Sequence, residues 1–346
     1  MTALLDVKDK RLLEKYTDNA RMPIGQLAKQ IGVSREVAAY RLKRLKKFGI
    51  MPRIVARVDM TRFYSTAYIM YLRFSKLDEN ILRETAQFFK KNPYVMWAAS
   101  LGGEYDIGTS FLARTPHDLA EFMHSMEQTF GKNLQQYDLF PYETELKNTY
   151  RVFFTTKPLQ LSEAVLQFTP PKNIELDEKD KLILYALSKD AELTNKQLGE
   201  LAGLSEEAVR LRKRNYEKTG MIKGYRAIID LQKIGLSAYY LFLKFENMNN
   251  ALSKKIETYM QLNNNINYCA KIIGKFNVQA CAWATSQTHY QAILQDLRNT
   301  FSDSLSEFRS QIIFTEHKHT YFPPAAIIDS DIKKIDDFFE SRYLLP

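Results

Sequence analysis

Arg41, Lys43, Arg44, Lys46 and Lys47 crowd one short run, with Arg35, Ala38 and Ala39 just ahead of them and Ser34 at the front. Cations packed this closely suit the phosphate oxygens of a duplex, and phosphate contacts supply affinity. On a helix beginning at Ser34, the outward positions Arg35, Ala38 and Ala39 come within reach of base edges, which supply sequence preference. Arg41 leans inward, and a structural brace is its other reading. The arrangement returns 171 positions later (Leu176 minus Leu5) as Ser205, Arg210, Arg212, Lys213 and Arg214, but Glu206 replaces Arg35, Asn215 replaces Arg44 and Glu217 replaces Lys46. Carboxylates at the entering end repel phosphate unless one of them accepts from a cytosine amine. The first run is therefore expected to dominate binding of double-stranded DNA, and the second to be weaker or to read a different half-site.

A second candidate is the loop Gly103-Glu104-Tyr105-Asp106. Glycine allows close backbone approach and Asp106 can accept from an ammonium group, although an ordinary glycine turn leading into a strand explains the same letters. In the second copy the loop reads Gly274-Lys275-Phe276-Asn277, without the carboxylate and the phenol, so one small-molecule site or none is expected. His317 and His319 would share one side of a strand, yet their first-copy counterparts are Leu146 and Asn148 and no third ligand stands nearby in sequence, so no metal is expected. His117 and His124 read as surface residues. Cys269 and Cys281, opposite Ala98 and Ser110 of the first copy, read as small buried fillers. No phosphate-binding glycine loop and no nucleophile arrangement is recognisable; catalytic residues and cofactors are expected to be none.

The elements that must hold these residues are written twice. Leu5-Asp6 returns as Leu176-Asp177, Gln26-Leu27 as Gln197-Leu198, Gly32-Val33-Ser34 as Gly203-Leu204-Ser205, and the register persists without a gap to Thr149-Tyr150 and Thr320-Tyr321. A period this long makes each copy a folding unit or two, not a solenoid repeat. Within the first copy, Asp6 with Asp9 starts one helix, 24–31 makes a short second, and Ser34 caps a third that ends at Gly49, with Val37, Leu42 and Leu45 expected inward. Alternation over 53–58 then predicts a strand, giving a winged helix-turn-helix. Strand, helix, strand, strand, helix and strand follow over 67–150, the ferredoxin-like split order, with Pro116 opening the second helix. The expected fold class is α+β, two winged helix-turn-helix domains (1–60 and 174–231) alternating with two ferredoxin-like effector domains (61–154 and 232–324), with a linker at 155–173. A C-terminal helical tail at 325–346, echoed by 162–168, is expected to pack as a helix.

The 346 residues are 45% apolar and can bury several cores. No stretch is long enough to span a bilayer and the start lacks the layout of a secretion signal, so the expected location is cytoplasmic with no membrane partner. Net charge is +9, and it is uneven. Residues 1–60 carry 14 Lys+Arg against 6 Asp+Glu, whereas 172–231 carry 12 against 11. The copies have diverged in electrostatics over a common apolar skeleton.

Taken in order, Leu5-Asp6-x-x-Asp9, Gln26-Leu27-Ala28, Gly32-Val33-Ser34, Arg41-Leu42-x-x-Leu45, Gly49-Ile50 and Gly103-x-Tyr105-Asp106 resemble the Lrp/AsnC (leucine-responsive, feast/famine) transcription regulators. The resemblance covers almost the whole chain twice, in a tandem duplicated form. It implies DNA binding, self-association through the ferredoxin-like domains, and a small-molecule effector such as an amino acid at Gly103, Tyr105 and Asp106. Two other readings compete. Siroheme decarboxylases of haem biosynthesis look like paired modules of the same kind and would need histidines and arginines along a tetrapyrrole cleft; here Gly224-Tyr225-Arg226-Ala227-Ile228-Ile229-Asp230 looks like the regulator pattern instead. A partner protein that only senses metabolites, without binding DNA, is the other.

Overall fold

The computed structural model describes residues 5–60, 66–155, 176–323 and 336–339. The first head consists of α1 (Val7–Tyr16), α2 (Ile24–Ile31), α3 (Arg35–Lys47) and β1 (Arg53–Val58). Each boundary has a local cause. Asp6 accepts from the Asp9 amide while Asp9 accepts from the Asp6 amide, a reciprocal cap on α1. Ser34 Oγ accepts from the Val37 amide to start α3, and Gly32 and Gly49, at φ of 68° and 64°, close α2 and α3 in the left-handed conformation that glycine tolerates. The inward stripe of α3 is Ala38, Leu42 and Leu45; Val37 is 40% exposed. Spacings of four and three residues from Ala38 hold one face of a helix, so Val37 and Ala38 exchange the places expected of them.

The remainder of the first copy is β2 (Thr66–Phe74), α4 (Glu79–Lys91), β3 (Val95–Gly102), β4 (Ile107–Ala113), α5 (Pro116–Phe130) and β5 (Leu134–Asn148). The second copy repeats the order as α6 (Glu178–Lys189), α7 (Asn195–Ala202), α8 (Glu206–Lys218), β6 (Ile222–Ile228), β7 (Ser237–Phe245), α9 (Asn250–Leu262), β8 (Ile266–Ile272), β9 (Val278–Ala284), α10 (Gln287–Thr300) and β10 (Leu305–His319). The expected linker and the 162–168 echo lie outside the described residues. Of the tail, 336–339 is helical and Phe339 is buried against the heads.

Strand pairing crosses between the copies. The two wing strands β1 and β6 pair antiparallel, Arg53 opposite Ile228 and Ala56 opposite Tyr225. Around them the contacts come in symmetric couples: Ala20 N–H donates to Tyr225 O (2.9 Å) as Ala191 N–H donates to Ile54 O (2.8 Å), and Asp59 N–H donates to Met221 O (2.8 Å) as Asp230 N–H donates to Ile50 O (2.9 Å). The heads thus share a sheet and one apolar core.

The ferredoxin-like copies also merge. Their strands close a barrel in the order β10-β3-β4-β2-β5-β8-β9-β7. The long strands accomplish this: β5 pairs with β2 of its own copy up to Pro141 and with β8 of the other from Tyr142, and β10 likewise passes from β7 to β3. Closure leaves the barrel without a free edge. Alternation along β2 sends Met70, Leu72 and Phe74 to the α4/α5 side and Ile69 and Tyr71 into an aromatic interior shared with Phe140, Tyr240, Phe242 and Phe276.

Two symmetry-related lysines tie each copy to the other. Lys147 Nζ donates to the carbonyls of Met260 (3.1 Å) and Asn263 (2.7 Å) at the end of α9, and Lys318 Nζ donates to Asn92 O (2.6 Å) at the end of α4. Burial pulls both ammonium groups down to about 7. Between that value and the usual lysine range the unfolded chain binds the proton and the folded protein does not, so this part of the stability is full at high pH and is lost as pH falls through about 7. Lys147→Met is expected to flatten the slope of denaturant-measured stability between pH 7 and 9 by on the order of 1 kcal/mol per pH unit.

Candidate DNA interface

The braces come first. Arg41 donates to Asp6 (2.7 Å) and to the fully buried Asp9 (2.7 Å), Arg44 also pairs with Asp9, and Arg212 repeats the brace on Asp177 (2.7 Å) and Asp180. These three arginines therefore hold the third helix of each head against its first. Lys46 reaches across to Glu192 of the other head, and on the far side of the pseudo-twofold Arg21 reaches Glu217 (3.4 Å). The polarity is reversed between the two pairs. Glu217 at the place of Lys46 thus serves a contact between heads, where Arg21 also lies 3.7 Å over the Tyr225 ring.

What remains of the first run is Arg35, Lys43 and Lys47, all exposed and, among the described residues, without a hydrogen bond or ion pair. Ala38, fully buried, is withdrawn from the candidate contacts, and Ala39 is half-buried. Beside the cations stand Val37 and Tyr40, the latter 65% exposed, which the sequence reading missed. Had the helical phase been taken from Leu42 and Leu45 alone, both would have been placed outside. An exposed valine and tyrosine offer apolar contact to thymine methyl groups that a buried Ala38 does not.

The second helix differs in what its cations are doing. Arg210 pairs with its own neighbour Glu207 through Nε (2.7 Å) and Nη2, Arg212 is a brace, and Lys213 donates to Asn195 Oδ1 (3.0 Å) with its ammonium group lowered to about 8 by burial and by Arg21. Ser205 Oγ is engaged as the cap of α8 through Ala208 N–H (3.2 Å), as Ser34 is in α3. Arg214 alone of this set is exposed without a described partner.

The loop at Gly103 is built into the fold. Tyr105 is 1% exposed and its hydroxyl donates to Asp138, while Asp106 accepts from the Phe74 amide at 2.8 Å. Asn277 does for Phe245 what Asp106 does for Phe74, at 3.0 Å, which is why the carboxylate can be lost in the second copy. The described contacts of Tyr105 and Asp106 are thus to the protein itself. Gly103, at φ of 135°, has Gln311 directly beside it. His317 lies 2.6 Å from Ser100 Oγ and His319 lies 3.4 Å from Glu316, while burial pushes the Cys269 thiol up to about 12 and raises that of Cys281 as well. Among the described residues no helix is long and apolar enough to cross a membrane.

The AsnC-type helix-turn-helix domain matches residues 5–46 and again 176–217. A protein of Pyrococcus abyssi described as an uncharacterized helix-turn-helix-type transcriptional regulator is 33% identical over 109 residues, which are 31% of this chain and 72% of that protein. One from Pyrococcus furiosus is 34% identical over 139 residues, 40% of this chain and 79% of that one. Among solved structures, the siroheme decarboxylase NirDL in complex with an iron-uroporphyrin III analogue superposes with a TM-score of 0.57 at 13% identity, covering 98% of this chain and 100% of that one, a likeness of fold. With two matching helix-turn-helix units set 171 residues apart and regulators as its relatives, the chain belongs to the Lrp/AsnC family of DNA-binding transcription regulators, in an internally duplicated form.

Proposed function

We propose that the protein is a sequence-specific regulator that binds DNA as an intramolecular pseudodimer, with α3 supplying most of the affinity and α8 reading a weaker or different half-site. The observation that carries this reading is the contrast between Arg35, Lys43 and Lys47, which face solvent unengaged, and Arg210, Arg212 and Lys213, which are already held by protein partners. The shared wing sheet supports it further, because it fixes one head relative to the other. Operator symmetry follows protein symmetry, and here the halves are fused and unlike, so an imperfect palindrome suffices. Regulation by a small molecule such as an amino acid, cytoplasmic residence and self-association through the barrel belong to the same proposal. No catalytic step is part of it, and incubation with siroheme is expected to leave the siroheme absorption spectrum unchanged. Genome-wide recovery of bound DNA at fixed salt is expected to return sites with one strong and one degenerate half. Recovery of perfect palindromes with equal half-site footprints would contradict the division of labour.

A further inference from the structure

A cavity of about 630 Å³ lies between the wing sheet and the barrel. One wall comes from β1 and β6, with Arg53, Arg57 and Lys223; the other comes from barrel strands of both copies, with Trp97, Gln279 and Trp283. Its size lies within the range of pockets that enclose drug-sized ligands. Among the described residues, Arg57 and the side-chain oxygen of Gln279 are groups on its walls that lack partners. Arg57 makes no hydrogen bond or ion pair among the described residues, although Arg53 donates to His319 O (2.7 Å) and Lys223 pairs with Asp59 (3.0 Å). Gln279, 2% exposed, donates its amide to Tyr71 while its Oε1 has no donor. The carboxylates of the lining are otherwise engaged: Glu316 accepts from Trp97 Nε1 (2.9 Å), Glu145 accepts from Asn148 Nδ2 (3.1 Å), and Asp230 accepts from the Lys233 amide (3.3 Å).

We propose that this cavity binds an aromatic organic acid, its anionic group on Arg57, an N–H or O–H of its body on Gln279 Oε1, and its rings among the aromatic side chains of the barrel wall. An unpartnered guanidinium and an orphan carbonyl oxygen inside a protein are costly, and a ligand that carries an anion and a donor satisfies both at once. The charge of Arg226 next to it and its own burial hold the Arg57 guanidinium below the usual arginine value, which an anion at that place would relieve. Val55 occupies the first-copy position equivalent to Arg226, and Ile228 the second-copy position equivalent to Arg57, so the cationic wall is a property of the fused chain and not of either copy. Because the occupant touches the strands that join the two heads as well as the barrel, its binding biases the head geometry. That last step rests on the regulator reading; the binding itself does not.

The probe is 8-anilinonaphthalene-1-sulfonate, which has an anion, an N–H and aromatic rings. The chain has 2 tryptophans and both line the cavity, so energy transfer from tryptophan to the dye reports on this place. The full chain is expected to bind one dye saturably, Arg57→Gln to weaken binding at least about tenfold, and Gln279→Leu to weaken it about threefold, with thermal unfolding recorded for each. Arg57→Lys, which keeps the charge, is expected to stay within about threefold of the parent and guards against an Arg57→Gln chain that does not fold. Dye binding that never saturates, or that is unchanged in folded Arg57→Gln, overturns the site. DNA affinity is measured separately with and without saturating dye. A shift of threefold or more supports the coupling and no shift removes it, whereas a chain that binds dye but no DNA keeps the cavity site and sinks the regulator reading.

Discussion

Replacing Arg35 and Lys43 together by alanine lowers affinity for duplex DNA by about a hundredfold at moderate salt and reduces the dependence of log K on log salt by about two, one for each lost phosphate contact. The same treatment of Arg210 and Lys213 changes affinity by less than about threefold, because those cations are already held by Glu207 and Asn195 and would have to exchange partners to meet phosphate. Fluorescence anisotropy of a labelled duplex over a salt series measures both quantities. Equal losses from the two pairs would show that α8 carries as much of the contact as α3. Arg41 and Arg44 are poor choices for such a test. Their removal strips the buried Asp9 of its two cationic partners, and any loss of binding would then report an altered head.

Arg226→Met destabilises the protein by about 3–5 kcal/mol, the cost of leaving a buried partner charge unanswered. Arg226 is fully buried on β6 and donates to Asp18 of the first head (2.8 Å), to Asn148 Oδ1 on β5 (2.7 Å) and to the Tyr321 hydroxyl (2.8 Å). One side chain therefore joins the second head, the first head and both ends of the barrel closure. Thr149 Oγ1 donates to the same Asp18. Burial works against ionisation of Asp18, but Arg226 and Thr149 outweigh it and hold the carboxyl below the usual aspartate range. The stability that Asp18 contributes is present above the unfolded-state value and is lost as pH falls through the lower folded one, so acid unfolding of the parent and Arg226→Met should converge at low pH. Denaturant unfolding at neutral and acidic pH reads this. A loss under 1 kcal/mol at neutral pH would mean that water replaces the hub.

Much of this architecture is legible in the letters because it is local. Asp6 with Asp9, Thr115 with Asp118 and Thr194 with Gln197 announce their helices, and the structure places a reciprocal cap at each. The strand over 53–58 and the duplicated register also survive, although Ile54, Val55 and Ala56 are all buried and do not alternate. Illegible was whatever depends on non-local pairing. Nothing within β5 distinguishes a strand that ends in its own sheet from one that crosses to β8, and the same holds for the pairing of β1 with β6. The outward face of α3 was read one residue out of phase, since Val37 is apolar and Ala38 small, and hydrophobicity alone ranks them wrongly. Glu217 looked like a loss of DNA charge when it is half of a salt bridge with swapped polarity. At Gly103 the letters fit a family signature and a structural turn equally, and what the letters did not show is that Tyr105 is buried. Arg57 carried no signal, being one more arginine in a basic head.

The most direct test of the central claim, that the exposed cationic face of α3 lies against duplex DNA, is anisotropy of the purified full chain with double-stranded fragments at low ionic strength. The account predicts saturable binding that weakens steeply with added salt in the parent and only shallowly in the Arg35, Lys43 double variant. Absence of binding at low salt, or an identical salt slope in the two proteins, would contradict it.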